Sequence, residues 1–242
     1  MSTFRFKKFS VVNERSAMKV NTDGVLLGAA MTLRPDDRNL LDIGTGTGTI
    51  ALMAAQRLSE ICSNLAHIDA IDIDEPSASE AAANFKNSPW SECLVAQNLS
   101  LDEFESDLST KYDVVFSNPP YFEDSLTAPD ARKSTARHTS DGLSYRDIFD
   151  FTVKHLTDCG RVSLVLPSDQ EHSVTRYARM SGLHLFRILR IRTVPRKAPA
   201  RMIVEFSRQR VEDVDDTILT IQNEGQYTDQ YLSLTKEFYL FA

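Results

Sequence analysis

The sequence predicts an α/β fold: a single doubly wound, mostly parallel sheet with an antiparallel pair of strands at one edge. Short apolar, β-branched runs alternate with helical runs, which is the pattern of β-α-β crossovers. The first strand ends in a glycine-rich turn that opens a helix. The last two strands follow one another without a helix between them, which favours the antiparallel pair. In such a sheet the ligand binds at the carboxyl ends of the strands.

The individual elements follow from residue type along the chain. The run YDVVFS is β-branched and aromatic and suits a strand, whereas the alanine-rich segment 77–87 suits a helix. Strands are predicted at 39–43, 68–73, 93–97, 112–117, 160–166, 185–192 and 201–207. Helices are predicted from the glycine-rich turn to about residue 57, and at 77–87, 145–156 and 170–180.

Composition predicts one globular domain. The chain has 242 residues, of which 42% are hydrophobic and 25% charged. We divide it into an N-terminal segment (1–38), a core (39–208) and a C-terminal extension (209–242). Its apolar runs are shorter than the ~20 residues of a membrane helix, and the N-terminus lacks the apolar stretch of a secretion signal. Three widely spaced cysteines and five scattered histidines predict neither disulfides nor a metal site. We expect a cytoplasmic monomer.

The distribution of charge matters more than the net charge of −7. A basic footprint is the usual sign of a nucleic-acid partner, but it is the local field that steers a polyanion. One stretch near the end of the core is rich in cations: Arg190, Arg192, Arg196, Lys197 and Arg201. The alternative interpretation is an ordinary solvated surface.

The glycine-rich turn lies in the segment DIGTGTGTIAL (42–52). Gly44, Gly46 and Gly48 let the backbone turn sharply and approach a ligand where a Cβ would collide. The dinucleotide fingerprint requires its third glycine where this sequence has Thr49. The loop therefore suits a cofactor without a pyrophosphate, such as S-adenosylmethionine, although a purely structural turn is an alternative.

Acidic and amide side chains follow the first three strands. Asp72, in the run AIDID, can accept hydrogen bonds from both ribose hydroxyls of a nucleoside cofactor, while Asp74 suits the cap of the next helix. Asp42 either orients the glycine loop, meets the amino group of the cofactor's methionine part, or is a buried structural carboxylate. Asn98 follows the third strand, where a polar side chain can meet the cofactor's adenine.

The fourth strand ends in NPPY, residues 118–121. Its two prolines stiffen the turn and remove two amide donors, which leaves the Asn118 side-chain oxygen and the Pro119 carbonyl as acceptors. Two acceptors can hold the two hydrogens of a planar amino group and aim its lone pair at a methyl donor, so catalysis is largely orientation. Tyr121 offers an aromatic face on which a flipped base can stack.

These motifs resemble a known group of enzymes. DIGTGTG, AIDID and SNPPY, in this order, look like the Rossmann-like class I methyltransferases that act on planar amino nitrogens. KVNTDGVLLGA (19–29), ARHTSDGLSYRDIF (136–149), PRKAPARMIVEF (195–206) and the ending GQYTDQYLSLTKEFYL are similar to the bacterial tRNA(Val) adenine-37 N6-methyltransferase family. The resemblance covers nearly the whole chain and implies methylation of the N6 of an adenine in tRNA, with S-adenosylmethionine as cofactor.

The resemblance also implies roles for individual residues. Segment 1–38 would cover the cofactor site. Apart from the resemblance, the length of loop 122–144 predicts a lid over the target base, a flexible insertion being the alternative. Cofactor contacts are predicted at Thr22, Asp23, Asp42, Gly44, Gly46, Gly48, Asp72, Asn98 and Asn118. Target-base contacts are predicted at Asn118, Pro119 and Tyr121, and RNA contacts at Arg137, Arg196, Lys197 and Arg201.

Several other functions compete with this interpretation. A protein-glutamine N5-methyltransferase acting on release factors also resembles an NPPY protein, but we expect a helical domain before its glycine loop, and only 41 residues precede Asp42 here. A non-catalytic RNA-binding relative would not need Asn118. A DNA methyltransferase would need a target-recognition domain, and Thr49 and the NPPY prolines disfavour an NAD-dependent dehydrogenase.

Overall fold

The computed structural model describes residues 2–62, 66–106, 108–120 and 142–241. Its strands are β1 (Thr3–Arg5), β2 (Ser10–Val12), β3 (Asn39–Ile43), β4 (His67–Asp72), β5 (Leu94–Asn98), β6 (Tyr112–Ser117), β7 (Leu156–Pro167), β8 (His184–Arg192), β9 (Arg201–Ser207), β10 (Asp215–Thr220), β11 (Gln222–Asn223) and β12 (Gln226–Tyr227). Its α-helices are α1 (Thr22–Ala30), α2 (Thr49–Ile61), α3 (Glu75–Lys86), α4 (Leu101–Ser106), α5 (Tyr145–His155), α6 (Glu171–Met180) and α7 (Asp229–Thr235).

Eight of these strands form the central sheet, in the order β10-β8-β9-β7-β6-β3-β4-β5. Neighbouring strands are parallel except at β9, which is antiparallel to both β7 and β8. Strand β9 therefore runs against the other seven strands of this sheet. The predicted α/β fold and its antiparallel pair are confirmed. Strand β10, which the sequence patterns did not predict, extends the sheet beyond β8.

Helices cover both faces of the sheet, as the doubly wound prediction requires. Successive strand residues point to opposite faces, so Leu40 packs in one hydrophobic cluster and Leu41 in the other. The first cluster includes residues of α1, α2, α3 and α7, and the second includes residues of α5 and α6. Among the described residues, no helix combines the length and the apolar character needed to cross a membrane.

All seven predicted strands are present, and three agree at both ends: β3, β6 and β9. Strand β7 begins at Leu156, four residues before the predicted start. The unpredicted elements lack a clear period. Helix α1 is buried from its third residue to its last and carries two glycines, so it has no polar face to mark it as a helix. Strand β10 reads DDTILT, and its first four residues are exposed.

Candidate active site

The turn between β3 and α2 is built around its three glycines. Gly44, Gly46 and Gly48 all have positive φ, at 72°, 57° and 79°, a region that side chains disfavour. A Cβ at Gly48 would lie 2.5 Å from Cε1 of Phe85, on α3. The turn therefore requires glycine there both for its backbone conformation and for close packing of α3.

Backbone hydrogen bonds fix this turn to the end of β4. The amides of Gly44 and Thr45 both donate to the Ile71 carbonyl, at 2.9 and 3.0 Å. The Gly46 amide donates to Oδ2 of Asp72 at 2.8 Å, and the Asp74 amide donates to Oδ1 of Asp72 at 2.9 Å. Burial raises the pKa of Asp72, although the amides of Asp74 and Gly46 oppose that rise. Asp72 thus holds the loop and lies beside it, while its predicted contact with the ribose of a cofactor stays a prediction.

Asn98 is also tied to the end of β4. Its Nδ2 donates to the carbonyls of Asp72 and Ile73, at 2.9 and 3.0 Å. Its amide nitrogen therefore bonds the protein backbone in this structure. Its predicted contact with the cofactor's adenine stays a prediction. Asp74 caps α3 as expected, accepting a hydrogen bond from the Ser77 amide at 3.0 Å.

Asp42 is fully buried beneath the glycine loop. Its Oδ2 accepts a hydrogen bond from the Thr45 hydroxyl at 2.8 Å. Its Oδ1 has no hydrogen bond within the described part of the chain, although the nearby Ala51 amide lowers the pKa. Burial outweighs the effect of the Thr45 hydroxyl and raises the pKa of Asp42 to about 7. This geometry agrees with orientation of the loop and with a buried structural carboxylate, and the role of Asp42 stays a prediction.

A small, open pocket with a volume of about 30 Å³ lies between the glycine loop, the N-terminal segment and the end of β6. Its lining residues are Met18, Lys19, Val20, Asn21, Gly24, Gly44, Thr45, Gly46, Thr47, Thr49, Ile50 and Asn118. The sequence-based site contained Gly44, Gly46 and Asn118 from this set. Residues 18–21 form the N-terminal wall of the pocket, and none of them was predicted from the sequence as a site residue. Their one sequence signal was the family-like segment 19–29.

Thr22 and Asp23 lie in the first turn of α1, next to this wall. The Asn21 side chain caps the helix by accepting a hydrogen bond from the Gly24 amide at 2.9 Å. Asp23 forms an ion pair with Nε of Arg201 at 3.2 Å. Asp23, predicted to bind the cofactor, is thus paired with Arg201, predicted to bind RNA, and no local pattern marks this pairing.

Helix α3 fastens the N-terminal segment over the pocket. The buried Glu80 carboxylate accepts hydrogen bonds from the amides of Glu14, Arg15 and Ser16, at 2.8, 2.9 and 3.0 Å. Burial would raise the pKa of Glu80, but these three amides lower it below its ordinary value. Asn84, one turn further on, accepts from the Val12 amide and donates to the Thr47 carbonyl, at 2.8 and 2.9 Å. The wall and the glycine loop therefore share one support.

The end of β6 brings Asn118 to the same pocket. The Ser117 hydroxyl donates to the Ile43 carbonyl at 2.6 Å and so joins the ends of β6 and β3. The Asn118 side chain is 7% exposed, and its Nδ2 lies 3.4 Å from Sδ of Met18. Pro119 is buried and Pro120 is exposed. Tyr121, together with Arg137 and residues 122–141 of the predicted lid, lies outside the described residues.

The basic stretch 190–201 is less uniform than its sequence suggests. The Arg190 guanidinium forms ion pairs with Glu171 and Asp216, at 2.6 and 2.8 Å. Arg196 and Lys197 are exposed in the loop between β8 and β9. Arg196 and Lys197 are thus the exposed cations of this stretch that were predicted to contact RNA. Arg190 and Arg201 instead form ion pairs with carboxylates of the protein.

The comparison with protein families agrees with this geometry. Residues 15–173 match the family model described as the methyltransferase small domain. The tRNA1(Val) (adenine(37)-N6)-methyltransferase of Parabacteroides distasonis is 41% identical over 98% of this chain and 97% of its own length. The protein of the same name from Trichodesmium erythraeum is 37% identical over 98% of this chain and 97% of its own length. The chain belongs to the tRNA1(Val) (adenine(37)-N6)-methyltransferase family.

Solved structures share the fold of this family member at low sequence identity. A crystal structure described as a predicted O-methyltransferase from Agrobacterium tumefaciens has a TM-score of 0.67 at 17% identity, covering 89% of this chain and 96% of that one. A methyltransferase from Pyrococcus furiosus has a TM-score of 0.57 at 19% identity, covering 82% and 89%. These likenesses concern the fold alone.

S-adenosylmethionine is the methyl donor of this family, and the glycine-rich turn beside Asp72 is the part of the site that fits it. A Cβ at Gly46 would make only ordinary contacts, 3.5 Å from the Ser16 hydroxyl and 3.6 Å from the Met18 carbonyl, so the positive φ of 57° is what favours glycine there. The Asp72 carboxylate, at the end of β4, lies beside the loop and accepts a hydrogen bond from the Gly46 amide. Among the described residues, no group of three or more histidine, cysteine or acidic side chains is arranged to hold a metal ion.

Proposed function

We propose that this chain methylates the exocyclic N6 of adenosine 37 in tRNA1(Val). The observation that carries the proposal is that Asn118 and the glycine loop line the same pocket. A side chain that can accept hydrogen bonds from an amine thus lies next to the loop proposed to bind the cofactor. The names of the relatives supply the RNA and the position. When bound, S-adenosylmethionine supplies an electrophilic methyl group on a sulfonium.

In this proposal the end of β6 holds the target amine. The Asn118 side-chain oxygen and the Pro119 carbonyl accept its two hydrogens and turn its lone pair into the pocket. Burial of Asn118 strengthens these hydrogen bonds, because little water competes with them. A proton can leave after methyl transfer, so the site does not require a strong base. Tyr121 would stack on the base.

The strand ends β3 and β4 hold the cofactor in the same proposal. Asp72 keeps acceptor capacity for ribose, because each carboxylate oxygen can accept more than one hydrogen bond. Gly44, Gly46 and Gly48 supply the close backbone approach, while Asn98, Thr22 and Asp23 stand at the margins. Asp42 supports the loop from below through Thr45.

In this proposal the RNA-binding surface includes the exposed loop between β8 and β9. Arg196 and Lys197, exposed beside the sheet, would meet phosphates, and Arg137 and Arg201 would act nearer the base. Binding should then weaken as salt rises, and charge reversal at Arg196 and Lys197 should flatten the dependence of affinity on salt.

We also propose that residues 1–242 act as one domain and as a cytoplasmic monomer.

The test offers methyl-labelled cofactor to three acceptors: unmodified tRNA1(Val), duplex DNA and a release factor. We expect label in the tRNA at adenosine 37, located by nucleoside mass spectrometry, and none after replacement of that adenosine by guanosine. The Asn118→Ala variant serves as the catalytic blank. Label in the release factor but not in the tRNA would support the protein-glutamine alternative and overturn the RNA assignment.

A further inference from the structure

A sulfur atom of the N-terminal wall contacts the side chain proposed to hold the target amine. Sδ of Met18 lies 3.4 Å from Nδ2 of Asn118, within the range of a sulfur hydrogen bond. Both residues line the pocket. From this contact we infer that Met18 is a positioning residue: its thioether fixes which end of the Asn118 carboxamide faces the target amine. The inference rests on the proposed function of Asn118.

The physical reason lies in the carboxamide itself. Its oxygen accepts hydrogen bonds and its nitrogen donates them, yet the two ends have nearly the same size and shape. A rotation by half a turn would present N–H groups to the hydrogens of the target amine and would repel it. A thioether is an acceptor only. It therefore pairs with the nitrogen end and leaves the oxygen end turned away from the wall.

The position of Met18 is itself well supported. The Ser16 hydroxyl donates to the Met18 carbonyl at 3.0 Å, and the Ser77 hydroxyl of α3 donates to the Ser16 hydroxyl at 3.0 Å. The amide of Ser16 is one of the three that Glu80 holds. A chain of hydrogen bonds thus runs from α3 to the backbone that carries the sulfur.

Packing alone does not account for a methionine at this position. Met18 is 40% exposed, and it belongs to neither of the two hydrophobic clusters that cover the sheet. Leucine would supply the same apolar volume without an acceptor. Glutamine would keep an unbranched chain and offer a stronger acceptor at its end.

This difference defines the experiment. Met18→Leu, Met18→Gln and the wild type are compared in methyl transfer to unmodified tRNA1(Val), with cofactor affinity measured by calorimetry. We expect Met18→Leu to lower kcat about two- to tenfold, the size of one net hydrogen bond, with cofactor Kd unchanged within about twofold. Met18→Gln should retain most of the wild-type kcat. Met180→Leu, at an exposed site at the end of α6, is the matched control and should behave as wild type. The opposite order, with leucine better than glutamine, would mean a packing role and overturn the inference.

A second readout does not depend on the RNA. The side-chain amide resonances of Asn118, assigned by their loss in Asn118→Ala, report the contact directly. We expect them to move in Met18→Leu and to stay in place in Met180→Leu. If the wild type labels no tRNA, the proposed function fails, and these resonances then report only whether Met18 holds the Asn118 carboxamide. Resonances that are unchanged in Met18→Leu would refute that role.

Discussion

The two halves of the pocket are stabilised by different kinds of interaction. The cofactor end, formed by the 44–48 turn and Asp72, is fixed by backbone amides that donate to the Ile71 carbonyl and to the Asp72 carboxylate. The target end, formed by residues 118–120, presents a side chain in contact with a thioether, which is a weak acceptor. A single side-chain substitution at the target end should therefore change the rate of methyl transfer directly. A single side-chain substitution at the cofactor end should change the loop conformation less, because backbone hydrogen bonds maintain it.

The largest expected effect is at the target end. Asn118→Ala should lower kcat about 10²- to 10³-fold, the usual cost of losing one preorganised hydrogen-bonding group in an active site. Cofactor Kd should change far less than kcat in a calorimetric titration, because the change removes no backbone support of the loop. A loss of affinity as large as the loss of kcat would instead make Asn118 chiefly a cofactor contact. Asn87→Ala, at the C-terminal end of α3, deletes the same group outside the pocket and should leave kcat unchanged. Comparable turnover in Asn118→Ala and the wild type would contradict the assigned chemistry.

At the cofactor end, Asp72→Ala should weaken S-adenosylmethionine binding roughly ten- to a hundredfold, which corresponds to a charge-assisted hydrogen bond of about 1.5–3 kcal/mol. Calorimetry measures the affinity, and circular dichroism checks that the fold is kept. Asp74→Ala is the matched control, since it removes a neighbouring carboxylate that caps α3. It should lower stability by about 1 kcal/mol with little change in affinity. Equal affinities for Asp72→Ala and the wild type would remove Asp72 from the site.

Gly48→Ala tests whether the turn tolerates any side chain. Gly48 and Gly182 have nearly the same φ, 79° and 83°, but a Cβ at Gly182 would meet nothing within 4 Å. Gly182→Ala should therefore cost only the backbone conformation, about 1–2 kcal/mol. Gly48→Ala should cost about 1–3 kcal/mol more, because the Cβ would also collide with Phe85. Urea unfolding of both variants gives the difference, and equal losses would show that Phe85 yields without cost.

A pH slope tests the support beneath the cofactor end. The folded pKa of Asp42 is about 7, above the ordinary 3.8, so the folded state binds the proton more tightly than the unfolded state. Asp42 therefore makes the free energy of unfolding of the ligand-free protein fall as pH rises from about 4 to 7, with a slope of at most about 1.4 kcal/mol per pH unit. Asp42→Asn should flatten this slope, whereas Asp36→Asn, at an exposed position, should not. Parallel slopes for wild type and Asp42→Asn would show that Asp42 stays ionised.

The sequence predicted the strands and the glycine turn because their signals are local. Alternating apolar runs and the spacing of Gly44, Gly46 and Gly48 lie within single elements. The Met18 contact with Asn118 joins residues 100 positions apart, and no local pattern marks it. Arg190 is a similar case, because its partners Glu171 and Asp216 come from α6 and β10. Long-range pairing thus decided which cations stay exposed, and local residue type did not.

The Glu80 carboxylate also bears on how this protein is made. Its three amide partners lie 64 to 66 residues earlier in the chain. Because synthesis proceeds from the N-terminus, residues 14–16 leave the ribosome well before their anchor exists. The first segment to emerge is therefore anchored only after α3 has followed it, and a nascent chain that ends before α3 lacks both Glu80 and Asn84. Such a chain carries the complete glycine turn without the α3 side chains that hold the wall beside it.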